Sequence, residues 1–181
     1  MMQKKVQIIS DGSLDLSQEL TKEKDIEVVP FYVSFDSETY QKEMVEVGVR
    51  EFYQEMVDHP TVFPKTSMPS VHDYYEVFEK HAKEQLPVIC ICITRKFSGS
   101  LQSATTAKDM ILEEYPDAQI TVIDSTVNTV LQGLYVLEAC RLRDMGLEYQ
   151  QIVDALLPIR ETGRIFFTIG SIDYLKHGGR I

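Results

Sequence analysis

Three short apolar runs each end in a polar turn, and each turn is followed by apolar residues at helical spacing. Strands that alternate with helices form largely parallel sheets, because each helix carries the chain back across the sheet. We therefore predict an α/β fold with a parallel-type sheet and helices on both faces. The three turns should meet at one sheet edge, beyond the carboxyl ends of the strands, where ligands bind in such folds. The runs are residues 6–10, 88–93 and 119–124, and the turns are Asp11–Ser13, Ser98–Ser100 and Asp124–Thr126.

Further elements follow from periodicity and from the positions of proline. A strand is predicted over 26–35, where Pro30 indicates an edge strand or a bulge, and another over 164–170. Pro60 and Pro64 are predicted to bracket a loop that carries Lys65, Thr66 and Ser67. Helices are predicted near 16–23, 48–59, 71–83, 100–114, 129–145 and 148–161.

The end of the sequence suggests a second, incomplete domain. A strand that begins at Arg164 needs a pairing partner, and few residues remain before Ile181. We therefore expect an α/β domain over 1–160 and the start of a second, truncated domain over 161–181.

Composition narrows the classes of partner. The formal net charge of −10 argues against nucleic acid and against anionic lipid surfaces, which attract basic proteins. The apolar runs are strand-sized, too short to cross a bilayer, and no signal peptide is visible, so we expect a cytoplasmic protein. An anionic ligand would have to be captured by a local site, because the overall charge would repel it.

Two hydroxyl-rich segments are candidates for that local site. Ser98-Gly99-Ser100 and the segment 65–70 each supply hydroxyls and backbone N–H groups just before a helical pattern, which is how helix starts bind anions. Ser98 is equally well explained as a helix cap, and the two roles are compatible. Taken alone, Thr66 and Ser67 are better explained as a solvated loop. Gly99 would allow close backbone approach to a ligand or simply a tight turn.

Two carboxylates leave an enzyme open as an alternative. Asp11 and Asp124 both follow strands and could hold Mg²⁺ in a phosphate-ester enzyme, although capping of the turns and of the following helices is the better explanation. Neither a Gly-x-Ser-x-Gly elbow nor a Walker-type loop is present. A third possibility is a fold fragment that binds nothing.

The order and spacing of five segments resemble the DegV family, fatty-acid-binding proteins found in many bacteria, and the resemblance runs essentially from end to end. It rests on the whole set, since each motif is short. The segments are Asp11–Leu16, Thr66–Ser70, Phe97–Ala104, Asp124–Ser125 and Tyr174–Arg180.

The resemblance implies a specific role. A long-chain fatty acid, such as palmitate, would lie between the α/β domain and a second domain beginning near Arg164, with its carboxylate held by Thr66 and Ser98. The protein would be non-catalytic, without metal or cofactor, and would present the fatty acid to a separate fatty acid kinase that makes an acyl phosphate for phospholipid synthesis. We expect the rest of the site to comprise Ser67, Gly99, Ser100, Asp11, Ser13 and Arg180.

Overall fold

The computed structural model describes residues 6–166, 168 and 170–179, and strands alternate with helices along most of this length. A 3-10 turn, Gly12–Leu14, follows the first strand directly. The strands are β1 (Gln7–Asp11), β2 (Ile26–Val29), β3 (Tyr32–Ser34), β4 (Gln41–Lys42), β5 (Lys65–Ser67), β6 (Val88–Cys92) and β7 (Ile120–Asp124). The helices are α1 (Gln18–Glu23), α2 (Val49–Asp58), α3 (Val71–Lys83), α4 (Ser100–Glu114), α5 (Thr129–Asp144), α6 (Tyr149–Ile159) and α7 (Asp173–His177).

The chain divides into two compact units. The first contains the described residues up to Val29 together with Pro69–Ile165, and the second contains Pro30–Met68 together with the described residues from Phe166 onward. These units do not test the predicted boundary near residue 160 between an α/β domain and a second domain, which stays a prediction.

The first unit is built on a parallel sheet of strand order β2-β1-β6-β7. Ser10 pairs with Ile91, and Cys92 pairs with Asp124, so β1, β6 and β7 end at the same level. The predicted parallel sheet is confirmed, and the three predicted turns do follow strands at one sheet edge.

Each face of this sheet carries its own apolar core, because side chains alternate between the two faces of a strand. One face packs Ile8, Ile89 and Ile91 against α5 and α6. The other packs Ile9, Cys90 and Cys92 against α3 and α4. Helices therefore cover both faces, as predicted.

Local capping sets the start of α3. The hydroxyl of Ser70 accepts the backbone N–H of Asp73 at 3.1 Å, and the Asp73 carboxylate accepts the backbone N–H of Ser70 at 2.8 Å. This reciprocal pair satisfies two N–H groups that would otherwise have no partner at the helix start. The helix begins one residue after Ser70, at the predicted position.

The second unit corrects two predictions. The strand predicted over 26–35 is broken at Pro30, because proline lacks the N–H that a continuous ladder needs: β2 is an edge strand of the parallel sheet, whereas β3 joins an antiparallel sheet of order β4-β3-β5. The segment 65–67, predicted as a loop, is strand β5, paired with β3 through Thr66 and Val33.

The strand predicted over 164–170 is wrong where the structure describes it. Residues 164–166, 168 and 170 carry no strand assignment, and Phe166 is 93% exposed. A run of apolar residues becomes a strand only when another strand supplies hydrogen bonds, and composition does not reveal such a partner. The predicted site residue Arg180 lies outside the described residues.

Helix length bears on the question of membrane insertion. Among the described residues, no helix combines the length and the apolar character that crossing a bilayer requires.

Candidate functional site

A buried carboxylate lies where β1 ends. Asp11 is 0% exposed, and its Oδ2 accepts hydrogen bonds from the backbone N–H of Ile93 at 2.9 Å and from the hydroxyl of Ser100 at 2.7 Å. Its Oδ1 accepts one from the side-chain amide of Gln132 at 2.8 Å. The carboxylate thus ties the end of β1 to the residue after β6 and to the first turns of α4 and α5.

Two further side chains extend this network. Because Ser100 donates its proton to Asp11, its oxygen accepts the Tyr74 hydroxyl, which lies 2.7 Å away. The hydroxyl of Ser13 donates to Oε1 of Gln132 at 2.8 Å. We call Asp11, Ser13, Tyr74, Ser100 and Gln132 the Asp11 cluster. It links four elements and a 3-10 turn at the carboxyl edge of the sheet.

The electrostatics of the cluster are governed by burial. Burial raises the pKa of Asp11 above its ordinary value of 3.8, while hydrogen bonds from Ile93, Gln132, Ser100 and Ser13 lower it in part. A charge removed from water is costly unless donors replace the lost solvent. Each donor to Asp11 is therefore a direct contributor to fold stability at neutral pH.

Ser98 lies just outside the cluster, at the start of α4. Its half-buried hydroxyl oxygen accepts the backbone N–H of Ser100 at 3.2 Å, so a capping contact is present. The same hydroxyl carries a proton to donate, and it has no acceptor within the described part of the chain. Capping therefore uses the hydroxyl oxygen as an acceptor, whereas ligand binding would use the hydroxyl proton, so one side chain can serve both roles.

Gly99 precedes α4 with a φ of −80°, which any residue can adopt. The turn itself does not require glycine. Close approach of a ligand head group to the Gly99 backbone stays a prediction.

The other predicted head-group residues belong to the second unit. Thr66 and Ser67 are exposed on β5, an edge strand whose backbone pairs with β3. The Lys65 ammonium donates to the carbonyl oxygen of His177 at 3.0 Å, and the ring of Phe63 stacks on His177 at 3.8 Å between centroids. These contacts hold the residues just before Thr66 against α7.

The carboxylate pair postulated for an enzyme is not supported by its geometry. Asp11 accepts from the backbone N–H of Ile93, the hydroxyl of Ser100 and the amide of Gln132, so both of its oxygens are already engaged inside the fold. Asp124 accepts the backbone N–H of Thr126 at 2.8 Å, which is the turn-capping role that the sequence also allowed. Among the described residues, no group of three or more His, Cys, Asp or Glu side chains is arranged to hold a metal ion.

Sequence reasoning missed two members of the cluster. Tyr74 lies at one of the apolar-spaced positions that predict α3, and Gln132 belongs to none of the motifs above. A signal for Gln132 did exist: it lies on the buried face of α5, in line with Val136 and Ala139 at helical spacing. A glutamine on such a face needs hydrogen-bond partners inside the protein.

The side chain of Ser100 is bonded directly to Asp11, and that of Ser13 is linked to Asp11 through Gln132. The predicted contact of these three residues with a ligand stays a prediction. A parallel sheet covered by helices, with hydroxyl groups at its carboxyl edge, defines an α/β protein of the kind that binds ligands beyond the strand ends. The chain belongs to the DegV family: residues 5–181 match the sequence model described as an uncharacterised protein of the DegV family.

Similar proteins of solved structure are described as binders of fatty acids. A stearic acid-binding protein from Eubacterium ventriosum is 48% identical, superposes with a TM-score of 0.92, and matches over 96% of this chain and 59% of its own. DegV from Bacillus subtilis, a fatty acid binding protein, is 25% identical with a TM-score of 0.87, over 98% of this chain and 61% of its own.

A DegV domain-containing protein from Clostridium perfringens is 31% identical over 97% of this chain and 61% of its own length. This chain therefore spans about three fifths of the length of the relatives that it matches.

Proposed function

We propose that this protein is a non-catalytic, cytoplasmic carrier that binds a long-chain fatty acid, with the carboxylate held by Thr66 and Ser98. In this proposal it presents the carboxylate to a separate fatty acid kinase, which forms an acyl phosphate for phospholipid synthesis. The observation that carries the proposal is the similarity to the stearic acid-binding protein of Eubacterium ventriosum, at 48% identity over 96% of the chain.

The hydroxyl of Ser98 supports the head-group assignment. It already accepts the N–H of Ser100, and its proton remains available for a carboxylate oxygen. Hydrogen bonds to an ionised acceptor are roughly twice as strong as neutral ones. The first-turn N–H groups of α4 also lack carbonyl partners within the helix and favour negative charge.

The Asp11 cluster supports the same assignment indirectly. Ser100, the first residue of α4, is fully buried and bonded to both Asp11 and Tyr74. The backbone that carries Ser98 is therefore fixed before any ligand arrives. A fixed donor loses little conformational freedom on binding, so more of the interaction energy appears as affinity.

The acyl chain should dominate the affinity. Each buried methylene contributes about 0.8 kcal/mol, so a long chain provides roughly 10 kcal/mol before entropy costs. The two hydroxyls then chiefly set orientation, which is what presentation to a kinase requires.

Lipid extraction is the first test. The purified protein is extracted with organic solvent and the released lipids are identified by mass spectrometry. A stoichiometric long-chain fatty acid is expected. Well-folded protein that yields none, and that does not take up added palmitate, would contradict the proposal for this chain.

Substitution tests the assigned residues. Ser98→Ala and Thr66→Ala should each weaken fatty acid binding by about 1–3 kcal/mol, the cost of leaving a charged acceptor without a donor. Ser17→Ala is the matched control, because Ser17 caps α1 by accepting the N–H of Leu20 at 3.3 Å. Binding that is unchanged in the Ser98/Thr66 double variant, or equally weakened in the control, would refute the assignment.

A further inference from the structure

A second binding site is indicated by a cleft at the carboxyl ends of β6 and β7, within the first unit. The cleft has a volume of about 620 Å³ and is lined by three chain segments. These are Thr94–Lys96 after β6, Asp124, Thr126 and Val127 around the end of β7, and Arg160, Glu161 and Gly163–Ile165 after α6. Small-molecule sites have volumes of about 300–1,000 Å³. The size therefore fits a small ligand better than a folded partner.

The cleft carries a net positive charge, whereas the protein as a whole is negatively charged. Four basic side chains line it against two acidic ones, Asp124 and Glu161, which leaves a formal charge of +2 in a chain of net charge −10. Such a local concentration of cations attracts an anion despite the overall field. The basic residues are Arg95, Lys96, Arg160 and Arg164.

These cations retain donors for a ligand. The closest approach of Arg95 to Asp124 is 3.8 Å, as is that of Arg160 to Glu161, so neither ion pair contains a normal hydrogen bond. Within the described residues, Lys96 forms no ion pair. A guanidinium group offers several donors in a planar fork, which matches phosphoryl oxygens.

Arg164 is held differently. Its Nη1 donates to the carbonyl oxygens of Glu161 and Gly163, at 2.7 Å each, which fixes the side chain along the rim. Thr126 also donates its hydroxyl to the carbonyl oxygen of Arg160 at 2.9 Å, tying this segment to the turn after β7. Two separate chain segments are thereby locked together around the cleft.

The cleft also has an apolar part, which comprises Leu101, Val127 and Ile165. A bare inorganic ion would leave this surface in contact with water. An ester with an organic group would cover it and gain hydrophobic contact energy.

We propose that this cleft binds the dianionic phosphoryl group of a small organic phosphate, with Arg95 and Arg160 as its principal donors. The formal charge of +2 in the cleft matches a phosphate monoester at neutral pH better than it matches a monoanion. The proposal does not depend on fatty acid binding, because it uses a different set of side chains and a different ligand charge.

Calorimetric titration at low ionic strength tests it with three probes. Phenyl phosphate represents an apolar ester, ADP represents a nucleotide, and phenyl sulfate has the shape of phenyl phosphate with a single charge. We expect saturable binding of phenyl phosphate or ADP, at least tenfold tighter than binding of phenyl sulfate. The tighter of the two phosphates identifies the apolar-ester or the nucleotide source of the group. The proposal fails if neither phosphate binds saturably, or if phenyl sulfate binds as tightly as they do.

Substitution locates the binding. Arg95→Gln combined with Arg160→Gln should weaken phosphate binding at least tenfold. Lys22→Gln combined with Lys108→Gln removes the same charge from positions that do not line the cleft, and should change binding less than twofold. An equal loss in both double variants would assign the binding to net charge and overturn the proposal. Palmitate binding, measured in the Arg95/Arg160 variant, should be retained, so this test and the test of the carrier function can fail separately.

Discussion

Replacing Gln132 with leucine removes three side-chain hydrogen bonds, two of them within the Asp11 cluster. The amide of Gln132 donates to Asp11 at 2.8 Å and to Ser10 at 3.0 Å, and it accepts from Ser13 at 2.8 Å. A hydrogen bond to a charged group contributes about 1.5–3 kcal/mol and a neutral one about 1 kcal/mol. Leucine recovers about 1 kcal/mol through its larger apolar surface. We therefore expect Gln132→Leu to lower the free energy of unfolding by about 3 kcal/mol at pH 7.

The loss should depend on pH, because burial already raises the pKa of Asp11 and removal of a donor raises it further. An acid whose folded pKa is raised destabilises the fold as the pH rises from the unfolded value through the folded one. Because the folded pKa of Asp11 is higher in the variant, the pH range over which the carboxyl group destabilises the fold is wider than in the parent. The difference between variant and parent should therefore be larger at pH 7 than near the unfolded value of 3.8.

Urea unfolding followed by circular dichroism measures this difference. Gln150→Leu is the matched control, because Gln150 is exposed on α6 and bonded to Asp154 at 2.8 Å. Surface changes of this kind usually stay within about 0.5 kcal/mol. A loss below about 1 kcal/mol for Gln132→Leu, or a loss that does not vary with pH, would refute the energetic role assigned to the cluster.

Two further variants test packing and charge. Gly133→Ala should destabilise the fold by about 1–2 kcal/mol in the same urea assay, although alanine favours helix by about 1 kcal/mol, because its Cβ would lie 2.4 Å from the carbonyl oxygen of Leu14. Equal or greater stability would show that α5 can shift. Glu27→Gln should cost about 1–2 kcal/mol at pH 7, since Glu27 Oε2 lies 2.6 Å from Nε2 of the buried His81. Burial alone would raise the pKa of Glu27, but His81 and Lys80 lower it overall, so its contribution is present above 4.5 and is lost as the pH falls through the folded pKa. A constant difference between variant and parent across that range would contradict this account.

Much of the first unit was predictable because its signals are local. The parallel strands are short apolar runs with polar exits, and α4 was predicted with the bounds that the structure has, Ser100–Glu114. The second unit depends on partners distant in sequence. Lys65–Ser67 becomes a strand only because β3 lies beside it, and a three-residue polar segment carries no periodicity that could reveal this.

In the candidate site too, local sequence signals were predictable and partners distant in sequence were not. Sequence located Asp11 and Ser100 through their positions after strands, and their meeting follows from the parallel sheet. The hydrogen bonds that use their polar atoms come from Gln132 and Tyr74, on helices remote in sequence. Those partners determine which hydrogen-bond donors and acceptors of Asp11 and Ser100 are left for a ligand. Side-chain pairing between segments remote in sequence cannot be deduced from a single sequence.

The position of β1 in the sheet has a consequence for the rate of folding. Its neighbour β2 follows within about 20 residues, whereas β6, its other neighbour, pairs Ile91 with Ser10 only after some 80 intervening residues. Contacts between residues far apart in sequence slow folding, because the entropy of closing the loop is lost before the contact forms. During synthesis, one edge of β1 stays without its strand partner until β6 has left the ribosome. Pairing of β1 with β6 should therefore limit the folding rate, and a chain stalled before Val88 should expose an unpaired apolar strand to aggregation or to chaperones.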